Sequence, residues 1–560
     1  MSETQQIPSQ QDQYQGEKID NQYHGFGKLQ LSNGDHYEGN FEKGKFNGKG
    51  KIQFKNGSFY EGDFKEGKKE GRGVYIYQQG DKYEGQFHDD MPHGTGVYTF
   101  SQGKKYEGSF ENGKKEGKGI YIFSNGNKYD GEYVNDEKHG SGVFYFKDGD
   151  KYEGQFSNDK KNGKGTYIFS NGDKYSGDFQ NDMREGKGVM EFKDGEKYQG
   201  DFYKNQIHGK GSYQFSNGNR YDGDFQNEKQ TGNGIYYFKN GDKYEGDFKN
   251  GKFEGYGIYI HDDGSKYAGQ FQDGKPHGKG IFEFANGNKY EGEFNQGKRE
   301  GSGVFTFKSG DKYEGKFFND KFHGHGIYKY QTGDIYEGDF EDGLFHGEGN
   351  YKFKNGKKYE GTFEKGLRNG HGILYFSDGD KYEGQFKGGQ FDGLGIYEFS
   401  NGDKYEGEFK EGIFHGKGSF QQKDGNSYTG DFDNGVKLGR GVQFFANGDQ
   451  YIGEFSDDKF DGQGQYTFAD GGYYKGQFQN GLYHGQGVQQ FSNNEKYEGE
   501  FRNGKMEGQG KMKFENGDQY EGSFKENKMK GKGKVIKTSG DIQEGEWEDN
   551  KLVSEKTAQK

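Results

Sequence analysis

The sequence predicts an all-β protein, an elongated, twisted, single-layer antiparallel β-sheet made of one 23-residue β-hairpin copied along a line. Three observations carry this expectation. Tyrosine opens a unit at Tyr37, Tyr60, Tyr83 and every 23 residues thereafter to Tyr520, without insertion or deletion. A further copy begins at Tyr14 and a truncated one at Gln543, so 14–553 reads as 23 full repeats plus a partial capping repeat. Fixed-period similarity marks an architecture in which each unit packs on its neighbours. Within each unit the apolar residues alternate with period two. Composition agrees, because 18% of residues are aromatic while only 27% are hydrophobic, and 107 are glycine. Rings therefore replace an aliphatic core, and glycine lets them lie against backbone. Helices are disfavoured here, since each interior glycine costs a helix roughly 1 kcal/mol.

A typical unit reads Y-E-G-x-F-x-x-G-K-x-H-G-K-G-x-Y-x-F-x-N-G-D-K. Its first strand carries Tyr, Gly and Phe at positions one, three and five, as in Tyr152, Gly154 and Phe156, with Lys151, Glu153 and Gln155 opposite. Strict alternation is a strand signature. The link within a copy is expected to be the longer turn, with Gly113, Asp136 or Gly412 at its eighth position tolerating positive φ. The second strand carries the fourteenth, sixteenth and eighteenth positions on one face, for example Gly119, Tyr121 and Phe123, with Ile120 and Ile122 opposite. Between copies, Asn125-Gly126, Asp148-Gly149 and Asn401-Gly402 predict two-residue type I′ turns. Glycine fills the third, twelfth and fourteenth positions of every complete copy, while the twenty-first departs from it at Asn494 alone. About 46 strands at roughly 4.8 Å span about 220 Å before twist and curvature.

The Y-E-G-x-F, H-G-x-G and N-G-D segments of the unit are similar to the MORN (membrane occupation and recognition nexus) repeat, and the likeness runs through nearly the whole chain. The resemblance implies an extended sheet, often a homo- or heterodimer with another MORN protein, acting as a scaffold or tether. Its similarity to radial spoke head MORN proteins implies a non-catalytic protein-interaction rod in a cytoskeletal assembly, the ciliary axoneme. Partners among other axonemal proteins follow from the same likeness, and the lack of targeting signals and of cysteine makes a cytoplasmic location the expectation. The alternative is a tether at a membrane or cell cortex that takes phosphoinositide headgroups. Residues 1–13 and 554–560 are polar and read as disordered tails.

Other signals exclude more than they assign. The N-terminus has no apolar core for a signal peptide, no stretch is long enough to span a membrane, and there is no cysteine. A net charge of −13 argues against nucleic acid. The recurring G-x-G pairs lack the strand-to-helix context of a nucleotide loop. Nine of 14 histidines share the eleventh position (His24, His93, His139, His208, His277, His323, His346, His415 and His484), where Asn47, Glu70 and Leu438 stand in other copies. A turn residue fits that slot better than a metal ladder, because copies about 10 Å apart cannot share one zinc. No catalytic residue, metal or cofactor is assigned.

Two stretches of the tenth position are the candidate sites. Lys69, Lys115, Lys138, Lys161 and Arg184 suggest a basic edge, and Phe253, Phe322, Phe345, Phe391, Phe414, Phe460 and Tyr483 suggest either a protein-docking edge on exposed loops or rings that fold back to cover their own turns. Trp547, at the fifth position of the partial copy, is expected to cap the final edge.

Overall fold

The computed structural model describes residues 12–555. Among them are 48 β-strands, from Gln13–Ile19 to Lys551–Glu555, and no helix. Of the expected tails, 1–11 and 556–560 lie outside the described residues, whereas Gln13, Ser554 and Glu555 belong to strands. The chain forms two compact units, Met1–Gly278 and Lys279–Lys560. In each, consecutive strands pair antiparallel in a one-layer meander with the same register from copy to copy.

The copy at Tyr152 represents the rest. Its strands are Lys151–Ser157 and Lys160–Ile168, with Tyr152 opposite Tyr167 and Gly154 opposite Gly165. Beyond that pair the register shifts, so that Asn162, Gly163 and Lys164 face Gln155 alone before Lys161 meets Phe156. Gly163 supplies the positive φ of this bulge, +91°. The Lys164 N–H that the bulge frees donates to Gln155 Oε1 at 2.9 Å.

The two links are the reverse of the sequence expectation. The link within a copy is the tight one: Asn158 and Asp159 both have positive φ, 51° and 65°, and form a two-residue type I′ turn. The link between copies is the longer one. Phe169 N–H donates to Asp173 O and Gly172 N–H to Phe169 O, both at 2.9 Å, around the three-residue loop Ser170, Asn171 and Gly172. Only Gly172 has positive φ there, +100°. Asn171 instead uses its side chain, accepting the Asp173 N–H at 2.9 Å. An Asn-Gly pair suits this three-residue loop as well as it suits a type I′ turn, which is why the dipeptide misassigned the link.

Tyr152 lies flat on its own backbone. A Cβ on Gly154 would sit 2.6 Å from the tyrosine Oη, and one on Gly165 would sit 2.4 Å from it. The two glycines are the bed on which the ring rests, and the phenol donates to Gln155 O at 2.9 Å. Tyr152 is 0% exposed as a result. Phe156 stands edge-on between this ring and that of the preceding copy, 5.1 Å from Tyr152 and 4.9 Å from Tyr129. The second unit repeats the arrangement with Phe363 between Tyr359 and Tyr336, 5.0 and 5.2 Å away. Such edge-to-face contacts add to the area buried.

Trp547 takes the same place at the end of the second unit, 5.3 Å from Tyr520, with its indole N–H on Gly533 O at 3.1 Å. It does not stand at the last strand, because Lys551–Glu555 pairs outside it. The tyrosine and the bulge glycine are both replaced there, by Gln543 at the first position and Ser554 at the twelfth.

Carboxylates at the twenty-second position clamp one copy to the next. Asp81 accepts the Ser101 N–H at 2.8 Å and the Tyr98 hydroxyl at 3.0 Å, and Asp380 and Asp449 make the same two contacts with the following copies. These bonds hold the carboxyl groups below their usual range: the Ser101 backbone bond acts most strongly on Asp81, the Tyr397 hydroxyl on Asp380 and the Tyr466 hydroxyl on Asp449. A pKa lowered in the folded state contributes stability above the unfolded value, about 3.9 for aspartate, and loses it as pH falls through the folded value. Denaturant midpoints are therefore expected to drop below about pH 4. Asp380→Asn should flatten that acid limb, and an unchanged limb in this variant would contradict the clamp.

A candidate docking face of stacked rings

All the ring rows lie on one face of the sheet. Behind them the opposite face is charged, with pairs such as Lys151–Glu153 at 2.8 Å. The first- and fifth-position rings are buried by the sheet itself, and the sixteenth- and eighteenth-position rings are half-buried in a second row. In the first unit that row runs Tyr75, Tyr77, Tyr98 and Phe100 with centroids 4.4, 5.5 and 4.5 Å apart. Tyr328, Tyr330, Tyr351 and Phe353 form the like row of the second unit, at 4.6, 6.0 and 4.4 Å.

The tenth position forms the outer layer. Phe253, Phe322, Phe345, Phe391, Phe414, Phe460 and Tyr483 are not on loops. Each is the second residue of a strand, because the tight turn ends at position eight. Each ring stacks face-to-face on the first-position tyrosine of its own copy, at 3.7 to 3.9 Å and 12 to 20°. All seven are half-buried, with one ring face on tyrosine and the edge against the fifth-position ring of the same copy, as Phe345 is against Phe340 at 5.4 Å. Phe253 also reaches Tyr236 and Phe238 of the previous copy, both at 6.2 Å.

The basic residues occupy the identical slot. Lys69 Nζ is 4.9 Å from the Tyr75 ring, Lys115 is 5.0 Å from Tyr133, Lys138 is 5.9 Å from Tyr129, Lys161 is 4.9 Å from Tyr167, and the Arg184 guanidinium is 5.6 Å from Tyr175. Burial pushes Lys115, Lys161 and Arg184 below their usual pKa. The side chains of Lys69 and Lys138 are only 15% and 16% exposed, and each is paired with a carboxylate of the next copy, Asp90 at 3.8 Å and Asp159 at 3.0 Å. A cation over an aromatic face is one way to cover the tyrosine and a stacked ring is another.

A pairing at 21 residues' distance separates the two solutions, and the sequence reading missed it. Where the tenth position is Lys69, Lys115, Lys138 or Lys161, the eighth position of the next copy is Asp90, Asp136, Asp159 or Asp182. Each aspartate also accepts the backbone N–H of its partner at 2.9 to 3.0 Å. Where the tenth position is Phe253, Phe345 or Phe414, the eighth is Gly274, Gly366 or Gly435, which donates its own N–H to the ring residue's carbonyl at 2.9 Å. Comparing the copies at this offset reveals the rule without any structure.

The eleventh-position histidines stay at the bulge. His346 reaches Glu341 at 3.3 Å and His415 reaches Asp433 at 3.2 Å, while the buried Nδ1 of His93 has no partner. Among the described residues no three His, Asp or Glu side chains are grouped to hold a metal ion, and no helix is long and apolar enough to cross a membrane.

A family model described as MORN repeat matches 23 consecutive stretches of the chain, from 14–36 to 520–542, in the register of the tyrosines. No curated protein matches. Among solved structures, the TCP10 domain of Danio rerio CPAP is 13% identical over 35% of this chain and 93% of its own, with a TM-score of 0.21. The SAS-4 (dCPAP) TCP domain of Drosophila melanogaster, solved with a proline-rich motif of Ana2, is 17% identical over 35% and 86%, with a TM-score of 0.15. Virginiamycin B lyase of Staphylococcus aureus is 11% identical over 58% and 90%, with a TM-score of 0.09. Likeness at these scores bears no weight on function.

Proposed function

Because the chain belongs to the MORN repeat family, its matched repeats running from residue 14 to residue 542, we propose that it is a non-catalytic scaffold that docks other proteins on its aromatic face. The assembly it serves is cytoskeletal, the ciliary axoneme being the leading candidate. The observation that carries the reading is the half-buried outer layer: a row of rings stacked on tyrosine that keeps part of its surface in solvent. A recurring, half-buried aromatic row of this kind suits protein recognition. Five cations of the first unit occupy the same slot turned onto rings, Lys69 and Lys138 in ion pairs, and all the candidate rings but Phe253 lie in the second unit, so the docking row is centred there.

The test exchanges one solution of the slot for the other. Phe345→Lys, Phe391→Lys and Phe414→Lys are combined with Gly366→Asp, Gly412→Asp and Gly435→Asp, which copies the Lys69–Asp90 arrangement at each site. The variant is expected to keep its β circular dichroism and to lose its place in the assembly when tagged in the source cell. A folded variant that stays in place contradicts a docking role for these rings.

A further inference from the structure

One point on the second unit's aromatic face breaks the pairing rule. Eight copies carry a cation at the tenth position, and Arg368 is the only one of these whose partner position holds glycine, Gly389. Its guanidinium lies over Tyr359 and Phe386, 5.6 and 5.4 Å from their centroids. Nη2 donates to Gly389 O at 2.7 Å, while the buried Nη1 has no partner. Arg299, in the equivalent place, binds Asp320 through Nε at 3.0 Å. The preceding loop departs in the same sense. Lys357 occupies the twenty-second position, where Asp81, Asp380 and Asp449 carry the clamping carboxylate, and Leu374 stands where Tyr98 supplies the hydroxyl. Lys357 Nζ lies 4.9 Å from the Phe376 ring, which contacts Phe391 at 6.4 Å. Burial pushes both cations below their usual pKa, and Arg368 depresses Lys357 further.

Two cations thus share a half-buried stretch of the face from which both customary carboxylates are missing. Neither forms an ion pair among the described residues. An unpaired charge held out of water is costly, and a guanidinium with a free N–H edge favours a planar carboxylate. Resting on the proposed docking role, we infer that Arg368 and Lys357 form an anion site that receives a carboxylate side chain of a docked protein segment, whose apolar residues lie on Phe345 and Phe391. The occupant is an acidic, apolar stretch of a partner protein. Charge complementarity selects it, since Arg368 and Lys357, without an ion pair among the described residues, stand beside the half-buried rings.

The test uses the full chain and two labelled peptides, one alternating glutamate with leucine and one alternating glutamine with leucine. The glutamate peptide is expected to bind at least about tenfold more tightly, the worth of one charge-assisted bond. Arg368→Gln and Lys357→Gln should each remove most of that preference, whereas Arg299→Gln should not. Gly389→Asp supplies the missing internal carboxylate at a position where a Cβ meets nothing within 4 Å and where aspartate adopts the positive φ in other copies, 68° at Asp90 and 75° at Asp136 against 89° here. It is expected to fold normally and abolish the preference, which separates loss of the site from loss of the fold. Equal binding of both peptides, unaffected by these changes, overturns the anion site and leaves the docking face standing. Binding of neither peptide contradicts both. Arg368-dependent binding to vesicles of phosphatidylcholine with phosphatidylinositol bisphosphate, without any preference between the peptides, assigns the site to lipid and overturns the inference.

Discussion

Replacing Gly154 with alanine is expected to unfold the copy that contains it, at a cost of about 3 kcal/mol or more. The new Cβ would lie 2.5 Å from Gly165 Cα and 2.7 Å from Lys164 O, both backbone atoms of the paired strand. It would also lie 2.6 Å from the Tyr152 hydroxyl, and that ring is fully buried with nowhere to retreat. Relief therefore requires the two strands to part or the tyrosine to leave its bed, and either step exposes rings of the adjacent copies. Hydrogen exchange should show lost protection centred on 152–168 and fading over the neighbouring copies, as nearest-neighbour packing demands. Gly172→Asn is the matched control, because Asn494 already occupies that loop position with φ of 71°. It should change stability little. A Gly154→Ala protein with native urea midpoint would show that the tyrosine does not depend on its glycine bed.

Phe248→Ala is expected to cost about 3 to 5 kcal/mol locally. The ring is 4% exposed and stands edge-on to Tyr244 at 5.2 Å and Tyr221 at 4.7 Å, so its removal leaves a cavity between two copies. Backbone pairing of both strands with their neighbours limits how far the sheet can close over that cavity. Hydrogen exchange should rise on either side of 248, while distant copies keep their protection. Uniform loosening of the whole chain would contradict a stability that is a sum of local contacts.

Both effects concern features that the sequence made legible. Period-two alternation identified the faces, and the abundance of glycine was readable as letting rings lie against backbone. What the residues could not supply was the reason for each glycine: two make a bed, and the twelfth turns the chain at a bulge. The links were misassigned because Asn-Gly fits both a type I′ turn and the end of a three-residue loop, and only the positive φ at both Asn158 and Asp159 distinguishes them. The candidate sites were divided by chemistry into a basic edge and an aromatic edge. Packing unites them, since Lys161 and Phe253 cover equivalent tyrosines. The rows were read one position at a time, whereas the residue 21 places on, Asp182 or Gly274, is what separates a cation over tyrosine from a stacked ring.

The most direct measurement of the docking role is proximity labelling from the tagged chain in its source cell, run beside the variant that carries lysine–aspartate pairs in place of Phe345, Phe391 and Phe414 with their facing glycines. Docking on the aromatic face predicts that cytoskeletal proteins dominate the wild-type label and that the folded variant loses them. Labelling dominated by membrane proteins, or a cytoskeletal set that the variant retains in full, would contradict it.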